Sequence, residues 1–182
     1  ISLLYLPESE PIAVDEWEYQ LLSNVGFIED NGTVLMQLLI ALETNDLVVC
    51  SDGSAPKGIG SFGWIASTRD DGCRMVTCHG PAPGAQVSSY RAEGYGLLSV
   101  TRFLLRLAEQ HKTPHELWEL TVYCDNESMV KKAKKRYPMG AIYPNFTLSS
   151  DFDIVVELWQ TLEQLEGMQC QVHFHHIDGH QD

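Results

Sequence analysis

From residue 47 the chain reads Leu47-Val48-Val49-Cys50-Ser51-Asp52-Gly53-Ser54. A short run of β-branched and apolar residues is typical of a buried strand, and the glycine and serine that follow are typical of a turn. The pattern predicts a strand over residues 47–51. It places the carboxylate of Asp52 at the carboxyl end of that strand.

Two later segments carry an acid in a comparable setting. Residues 122–126 read Val-Tyr-Cys-Asp-Asn, a second apolar run that ends in Asp125. Residues 89–93 read Ser-Tyr-Arg-Ala-Glu and open a helix predicted for residues 88–110, in which apolar residues recur at helical spacing. Glu93 therefore lies near the start of a long helix.

The long helix between these two apolar runs predicts a right-handed crossover, which makes the runs parallel neighbours about 4.8 Å apart. Asp52 and Asp125 would then lie side by side at the sheet edge where α/β folds bind ligands. Glu93 would reach them from the helix, with Gly94 and Gly96 allowing the helix to approach the sheet closely. Such carboxylates repel unless a hard cation lies between them, and oxygen ligands favour Mg²⁺ or Mn²⁺ over zinc. The alternative is that Asp52 forms a turn and Asp125 caps a helix.

The rest of the pattern predicts an α/β domain over residues 46–182. Strands at residues 60–68 and 75–79, joined by a turn at residues 70–72, extend the first strand into an antiparallel meander. A fourth strand is expected over residues 119–124, followed by a helix that runs through the basic residues of positions 131–136 and ends at residue 137. Another helix is expected over residues 151–165, and a fifth strand over residues 170–177. Residues 1–45 are predicted to be an N-terminal extension or linker with two helices.

Composition and charge narrow the class of protein. A chain of 182 residues with 44% hydrophobic residues can bury a core, and it contains no apolar run of the ~20 residues that a membrane span needs. Five cysteines without a CxxC pair favour a reducing intracellular compartment, cytoplasmic or nuclear, with Cys50 and Cys124 as buried apolar residues. The net charge of −13 argues against a general electrostatic binder of nucleic acid, although five of the twelve basic residues are concentrated in residues 131–136.

Four short motifs in this order resemble a type 1 ribonuclease H domain of the kind found in retrotransposon polyproteins, where it follows a reverse transcriptase. They are Ser51-Asp52-Gly53-Ser54, Tyr90-Arg91-Ala92-Glu93, Tyr123-Cys124-Asp125-Asn126 and Gly179-His180-Gln181-Asp182. The resemblance covers about residues 46–182. It implies a five-stranded mixed sheet of order 3-2-1-4-5, flanked by helices.

The resemblance also implies a function and its residues. The family cleaves the RNA strand of RNA–DNA hybrids with two divalent ions, Mg²⁺ or Mn²⁺. By motif match, Asp52 would bridge both ions, Glu93 and Asp125 would hold one of them, and His180 would assist product release or proton transfer. The matching substrate contacts are Ser88, Ser89, Arg91, Lys131 and Lys132. A hybrid is thus the expected partner, together with an upstream reverse transcriptase domain and no membrane.

Two departures from the family pattern leave alternatives open. The family carries a fourth carboxylate on a helix ten or more residues after the histidine, whereas this sequence ends at Asp182. Either its C-terminal end is missing, or the protein is impaired, or another chain supplies the acid. Glu127 adds a negative charge where substrate should approach. A catalytically impaired scaffold that binds nucleic acid or protein is therefore the second interpretation. An integrase-like strand-transfer domain, with Glu157 as its last acid, is a third. His173 and His175 share a strand face, and ordinary packing is the preferred interpretation for both.

Overall fold

The computed structural model describes residues 1–28, 32–136 and 151–179. The strands are β1 (Ser2–Leu4), β2 (Ile12–Val14), β3 (Gly26–Phe27), β4 (Leu47–Ser54), β5 (Gly60–Thr68), β6 (Arg74–Ala82), β7 (Trp118–Cys124) and β8 (Cys170–His176). The helices are α1 (Glu16–Leu22), α2 (Val34–Glu43), α3 (Ser89–His111), α4 (Glu127–Lys134) and α5 (Phe152–Gly167).

Six strands form one mixed sheet in the order β3-β6-β5-β4-β7-β8, and β1 pairs with β2 in a separate two-stranded sheet. Strands β4, β5 and β6 form the antiparallel meander, while β7 lies parallel to both β4 and β8. The five strands of the predicted domain thus occur in the predicted order, 3-2-1-4-5. The α/β fold class and its mixed sheet are confirmed.

Helix α3 is the crossover between β4 and β7, and it packs on the sheet. Its first turn is capped by Ser88, whose hydroxyl accepts a hydrogen bond of 3.1 Å from the Arg91 amide. The apolar residues of its middle turns are buried in the main core cluster, which also contains Trp64 of β5 and Val122 of β7. The Phe103 ring of α3 lies 5.3 Å from the Trp64 ring. This burial fixes the helix on the sheet and thereby sets the position of its amino-terminal end.

The N-terminal segment contributes to the same core, with strands that the sequence pattern did not predict. Strand β3 pairs with β6 and is the sixth strand of the sheet. The ring of Phe27 in β3 lies 6.5 Å from the ring of Phe103 on α3. Glu18 of α1 is 2% exposed and forms ion pairs with Arg102 and Arg106 of α3. Strands of two or three residues are too short to show an alternating pattern, which explains why sequence reasoning missed them.

Four predicted features need correction. The first strand continues through Gly53 to Ser54 instead of turning at Asp52. The third continues through Pro81, which is tolerated because β3 covers only residues 76–77 of this strand. Helix α4 ends at Lys134, where lysines one turn apart repel. Cys50 is exposed rather than buried.

None of the helices in the described part of the chain combines the length and the apolar character that a bilayer crossing requires.

Candidate metal centre

Glycines on both elements bring strand β4 and helix α3 into direct contact. A Cβ atom on Gly53 would lie 2.4 Å from the amide nitrogen of Glu93, and one on Gly96 would lie 2.4 Å from Ser51 Oγ. Both distances are far below van der Waals contact. The neighbour of Gly53 is a backbone atom, so only glycine fits there, whereas at Gly96 the Ser51 hydroxyl would have to turn away. The close approach expected from the helical glycines is therefore present at Gly96. A Cβ on Gly94 would instead meet the side chains of Met129 and Ile154.

The carboxylate of Glu93 is buried at this contact. Its Oε1 accepts a hydrogen bond of 2.8 Å from the Gly53 amide, and its Oε2 accepts one of 3.3 Å from the Cys124 thiol. The side chain is only 2% exposed. Two donors from the neighbouring strands thus hold the carboxylate in one orientation.

Asp125 follows β7 directly and completes a compact group with Glu93. One ligand atom each from Glu93, Cys124 and Asp125 lies within 4.8 Å of the others. Burial and the neighbouring Asp125 carboxyl raise the pKa of Glu93 to about 8. Burial and the charge of Glu93 also raise the pKa of the Cys124 thiol, which therefore stays protonated as a donor.

The electrostatics of this pair fit a hard divalent cation. Two carboxyl groups this close share the site by keeping one proton, unless a positive charge takes its place. Carboxylate oxygens are the ligands that Mg²⁺ and Mn²⁺ prefer. Glu93 and Asp125 are thus the described residues that could hold such an ion, with Cys124 as a donor to one of them.

Asp52 lies next to Asp125 but outside this compact group. Ser51 pairs with Cys124 in the parallel register of β4 and β7, so the following residues, Asp52 and Asp125, are neighbours across the strand pair. The side chain of Asp52 is exposed. Asp52 and Asp125 both line a groove of about 680 Å³, and Asp178 lines it from the segment after β8. The structure therefore places all three predicted acids at one end of the β4–β7 pair, with Glu93 inside and Asp52 at the groove.

The residues predicted to contact substrate have these positions. Ser88 and Ser89 are exposed at the start of α3, and Arg91 forms ion pairs of 3.0 Å with Asp151 and 2.9 Å with Asp153. Lys131 lies 3.1 Å from Glu127 on the exposed side of α4, and the neighbouring Lys132 is half-buried. His180 and Asp182 lie outside the described residues. These substrate contacts remain predictions.

Sequence reasoning missed the role of Cys124. It was correctly expected to be buried, but its hydrogen bond to Glu93 was not foreseen because a cysteine in an apolar strand usually serves only as a small hydrophobic residue. The available signal was its place directly before Asp125, on the strand expected next to Asp52. A thiol on the inward face at that position faces the helix that carries Glu93.

No protein-family model matches the chain, and no curated protein matches it. Several solved structures, however, are similar to the chain in fold. The N-terminal ribonuclease H domain of rv2228c from Mycobacterium tuberculosis is 15% identical, with a TM-score of 0.50 over 73% of this chain and 82% of that one. LC11-RNase H1 in complex with an RNA/DNA hybrid is 14% identical, with a TM-score of 0.51 over 73% of this chain and 86% of that one. At these identities the likeness shows the fold alone.

Proposed function

We propose that this chain is a metal-dependent endonuclease of the ribonuclease H type, which cleaves the RNA strand of RNA–DNA hybrids. The observation that carries the proposal is the buried Glu93 carboxyl beside Asp125, with Asp52 adjacent, on a fold shared with ribonucleases H. Each acid alone has an ordinary structural explanation. Asp52 lies near the carboxyl end of β4, Asp125 follows that of β7, and Glu93 reaches them from α3. This placement beside an open groove favours a site.

The protein residues have distinct tasks in this proposal. Asp52 faces the groove and would contact ions and substrate together, while Glu93 and Asp125 would hold ions from the inner side. Divalent ions at such a site activate water and stabilise the attacking and leaving oxygens of a phosphodiester. The Gly53 amide and the Cys124 thiol keep the Glu93 carboxylate oriented without contributing charge.

We also propose the wider context that the sequence resemblance implies. The nuclease region would comprise residues 46–182, preceded by an extension over residues 1–45 and, in the full polyprotein, by a reverse transcriptase domain. The proposed ions are two Mg²⁺ or Mn²⁺, and the compartment is intracellular. Ser88, Ser89, Arg91, Lys131, Lys132 and His180 are the proposed contributors to substrate binding and turnover.

A second candidate is a scaffold that binds nucleic acid or protein without cleaving it. The net charge of −13 favours this candidate, and so do the ion pairs that occupy Arg91 and Lys131 with acids of the same chain. A phosphate backbone would have to compete with those acids for both cations. A scaffold needs no divalent ion, which separates the two candidates experimentally.

Cleavage of a labelled RNA–DNA hybrid in Mg²⁺ or Mn²⁺ tests the proposal. The variants Asp52→Asn, Glu93→Gln and Asp125→Asn should each lose at least about a hundredfold in rate, because each removes a charge that the ions require. Asp70→Asn makes the same chemical change at an exposed hairpin turn and should cleave like the unaltered protein. If all four variants cleave the hybrid at the rate of the unaltered protein, the assignment is refuted.

A further inference from the structure

Strand β8 ends beside Asp125. The strands β7 and β8 are parallel, and Cys124 pairs with His176 in their last register position. The Ile177 amide donates a hydrogen bond of 3.1 Å to the Cys124 carbonyl oxygen. Asp125 therefore lies one residue beyond the end of β7, in the short link to α4.

The side chain of His176 reaches that link. Its Nε2 lies 3.1 Å from the carbonyl oxygen of Asp125. A carbonyl oxygen only accepts hydrogen bonds, so Nε2 carries the proton and donates. On the other side, Asn126 Oδ1 accepts a hydrogen bond of 3.0 Å from the Met129 amide and caps α4. The peptide between Asp125 and Asn126 is thus held by His176 on one side and by the helix cap on the other.

The segment after β8 also packs on the Asp125 side chain. A Cβ atom on Gly179 would lie 2.8 Å from Asp125 Oδ2 and 3.5 Å from its Cγ, so the backbone of Gly179 lies directly against the carboxyl group. Contacts from His176 and Gly179 therefore bracket Asp125 at its main chain and at its carboxylate.

We propose that His176 is a positioning residue for Asp125, which fixes the peptide after this residue and thereby the direction of its carboxylate toward Glu93. The inference rests on the proposed function, because it is this pair of carboxylates that would hold the ion. Glu93 is fixed at its carboxylate by two donors, whereas His176 fixes Asp125 through its main chain. Without the His176 contact, only the Asn126 cap holds this peptide. The backbone of Asp125, from which its carboxylate projects, is then less firmly fixed beside Glu93.

The other two histidines of β8 have different partners. His173 Nε2 lies 3.4 Å from Glu119 Oε1, and the His175 ring lies 5.7 Å from the Tyr123 ring. His173 is exposed on the same strand, opposite Thr121 and three register positions before His176. His173→Ala is therefore a matched control for His176→Ala.

Two measurements on the whole chain test the inference, using Mn²⁺ itself as the probe. The first is calorimetric titration with Mn²⁺. His176→Ala should weaken binding by about tenfold, the low end of the range for residues that orient metal ligands, because the ring is exposed. His176→Gln keeps an N–H donor on a side chain of similar reach and should restore most of the affinity. His173→Ala should bind like the unaltered protein.

The second measurement is the carboxyl carbon resonance of Asp125 in the metal-free protein. It should shift or broaden in His176→Ala and return in His176→Gln. Unaltered affinity and an unaltered resonance in His176→Ala would overturn the inference, as would His176→Gln behaving like His176→Ala. If the unaltered protein neither binds Mn²⁺ nor cleaves hybrids, the proposed function fails. The resonance then still decides whether His176 positions Asp125.

Discussion

The amide of Gly53 donates a hydrogen bond of 2.8 Å to Oε1 of Glu93. This bond joins strand β4 to helix α3 at the residue that directly follows Asp52. A strand and a helix can approach this closely only where a side chain is absent. The positions of two of the three proposed ligands therefore depend on one glycine.

Gly53→Ala should disturb this joint. The added Cβ would lie 2.4 Å from the Glu93 amide nitrogen and 2.5 Å from the Ala92 carbonyl carbon, both backbone atoms that cannot move aside cheaply. We expect a loss of about 1–3 kcal/mol in the free energy of unfolding, as for other overpacked sites, with loss of hybrid cleavage. Urea denaturation and a cleavage assay measure the two effects.

Gly63→Ala is the control for that variant. Gly63 lies on the neighbouring strand β5, and a Cβ there would meet only the Cys78 carbonyl oxygen at an ordinary 3.7 Å. The free energy of unfolding of Gly63→Ala should stay within about 1 kcal/mol of that of the unaltered protein. A Gly53→Ala protein that matches it in stability and cleavage would show that the close approach does not matter.

The raised pKa of Glu93 predicts a pH dependence of stability in the metal-free protein. The group has its ordinary pKa near 4.5 in the unfolded chain and a pKa of about 8 in the folded one. Between these values the folded state binds more protons, so the free energy of unfolding falls as pH rises, with a slope approaching about 1.4 kcal/mol per pH unit. Urea denaturation from pH 5 to pH 8 measures the slope.

Two comparisons assign that slope to Glu93. The variant Glu93→Gln has no such titration, so its stability should change less with pH than that of the unaltered protein over the same range. A saturating divalent ion should also reduce the slope, because it stabilises the ionised carboxylate. If the free energy of unfolding changes with pH equally in the unaltered protein and in Glu93→Gln, the burial of an ionisable Glu93 is contradicted.

The Cys124 thiol should contribute to activity through its hydrogen bond rather than as a ligand. Cys124→Ser retains a donor and should keep most of the cleavage rate, whereas Cys124→Val leaves Glu93 Oε2 without this donor and should lose about tenfold. Cys170→Val, at a buried position on β8 outside the compact group, controls for replacing a buried thiol. If Cys124→Val and Cys170→Val lower cleavage equally, the hydrogen bond is not responsible.

The N-terminal segment should be needed for stability. Glu18→Gln leaves Arg102 and Arg106 without the acid that both contact, at a position that is only 2% exposed. Removing one partner of a buried ion pair costs about 3–5 kcal/mol. Glu109→Gln removes only the outer partner of Arg106 and should cost no more than about 1 kcal/mol. Chemical denaturation measures the stabilities of Glu18→Gln and Glu109→Gln. Similar denaturation midpoints for the two variants would contradict the docking of α1 on α3.

Much of the sheet could be predicted because its pattern is local. The apolar runs, the hairpin turn at residues 70–72 and the helical spacing of α3 are each visible within about twenty residues, and the crossover rule then gives the order of the strands. The close approach of helix and sheet near Glu93 was predicted from the cost of Gly94 and Gly96 inside a helix, and it occurs at Gly96.

What could not be predicted depends on contacts between distant segments. The contact of Gly53 with α3 joins residues forty positions apart, and the pairing of β3 with β6 requires the N-terminal segment to be docked. Arg91 matches a substrate-binding position of the family motif, yet its ion pairs with Asp151 and Asp153 come from residues sixty positions away. Likewise, the hydrogen bond between Cys124 and Glu93 joins two elements whose relative position a sequence pattern does not specify.

Binding of Mn²⁺, followed by electron paramagnetic resonance, tests the central claim most directly. The unaltered protein should show saturable binding that is lost or weakened by at least about tenfold in Glu93→Gln and in Asp125→Asn, and that is unchanged in Asp70→Asn. Equal Mn²⁺ binding by the unaltered protein and all three variants would contradict a metal centre built on Glu93 and Asp125.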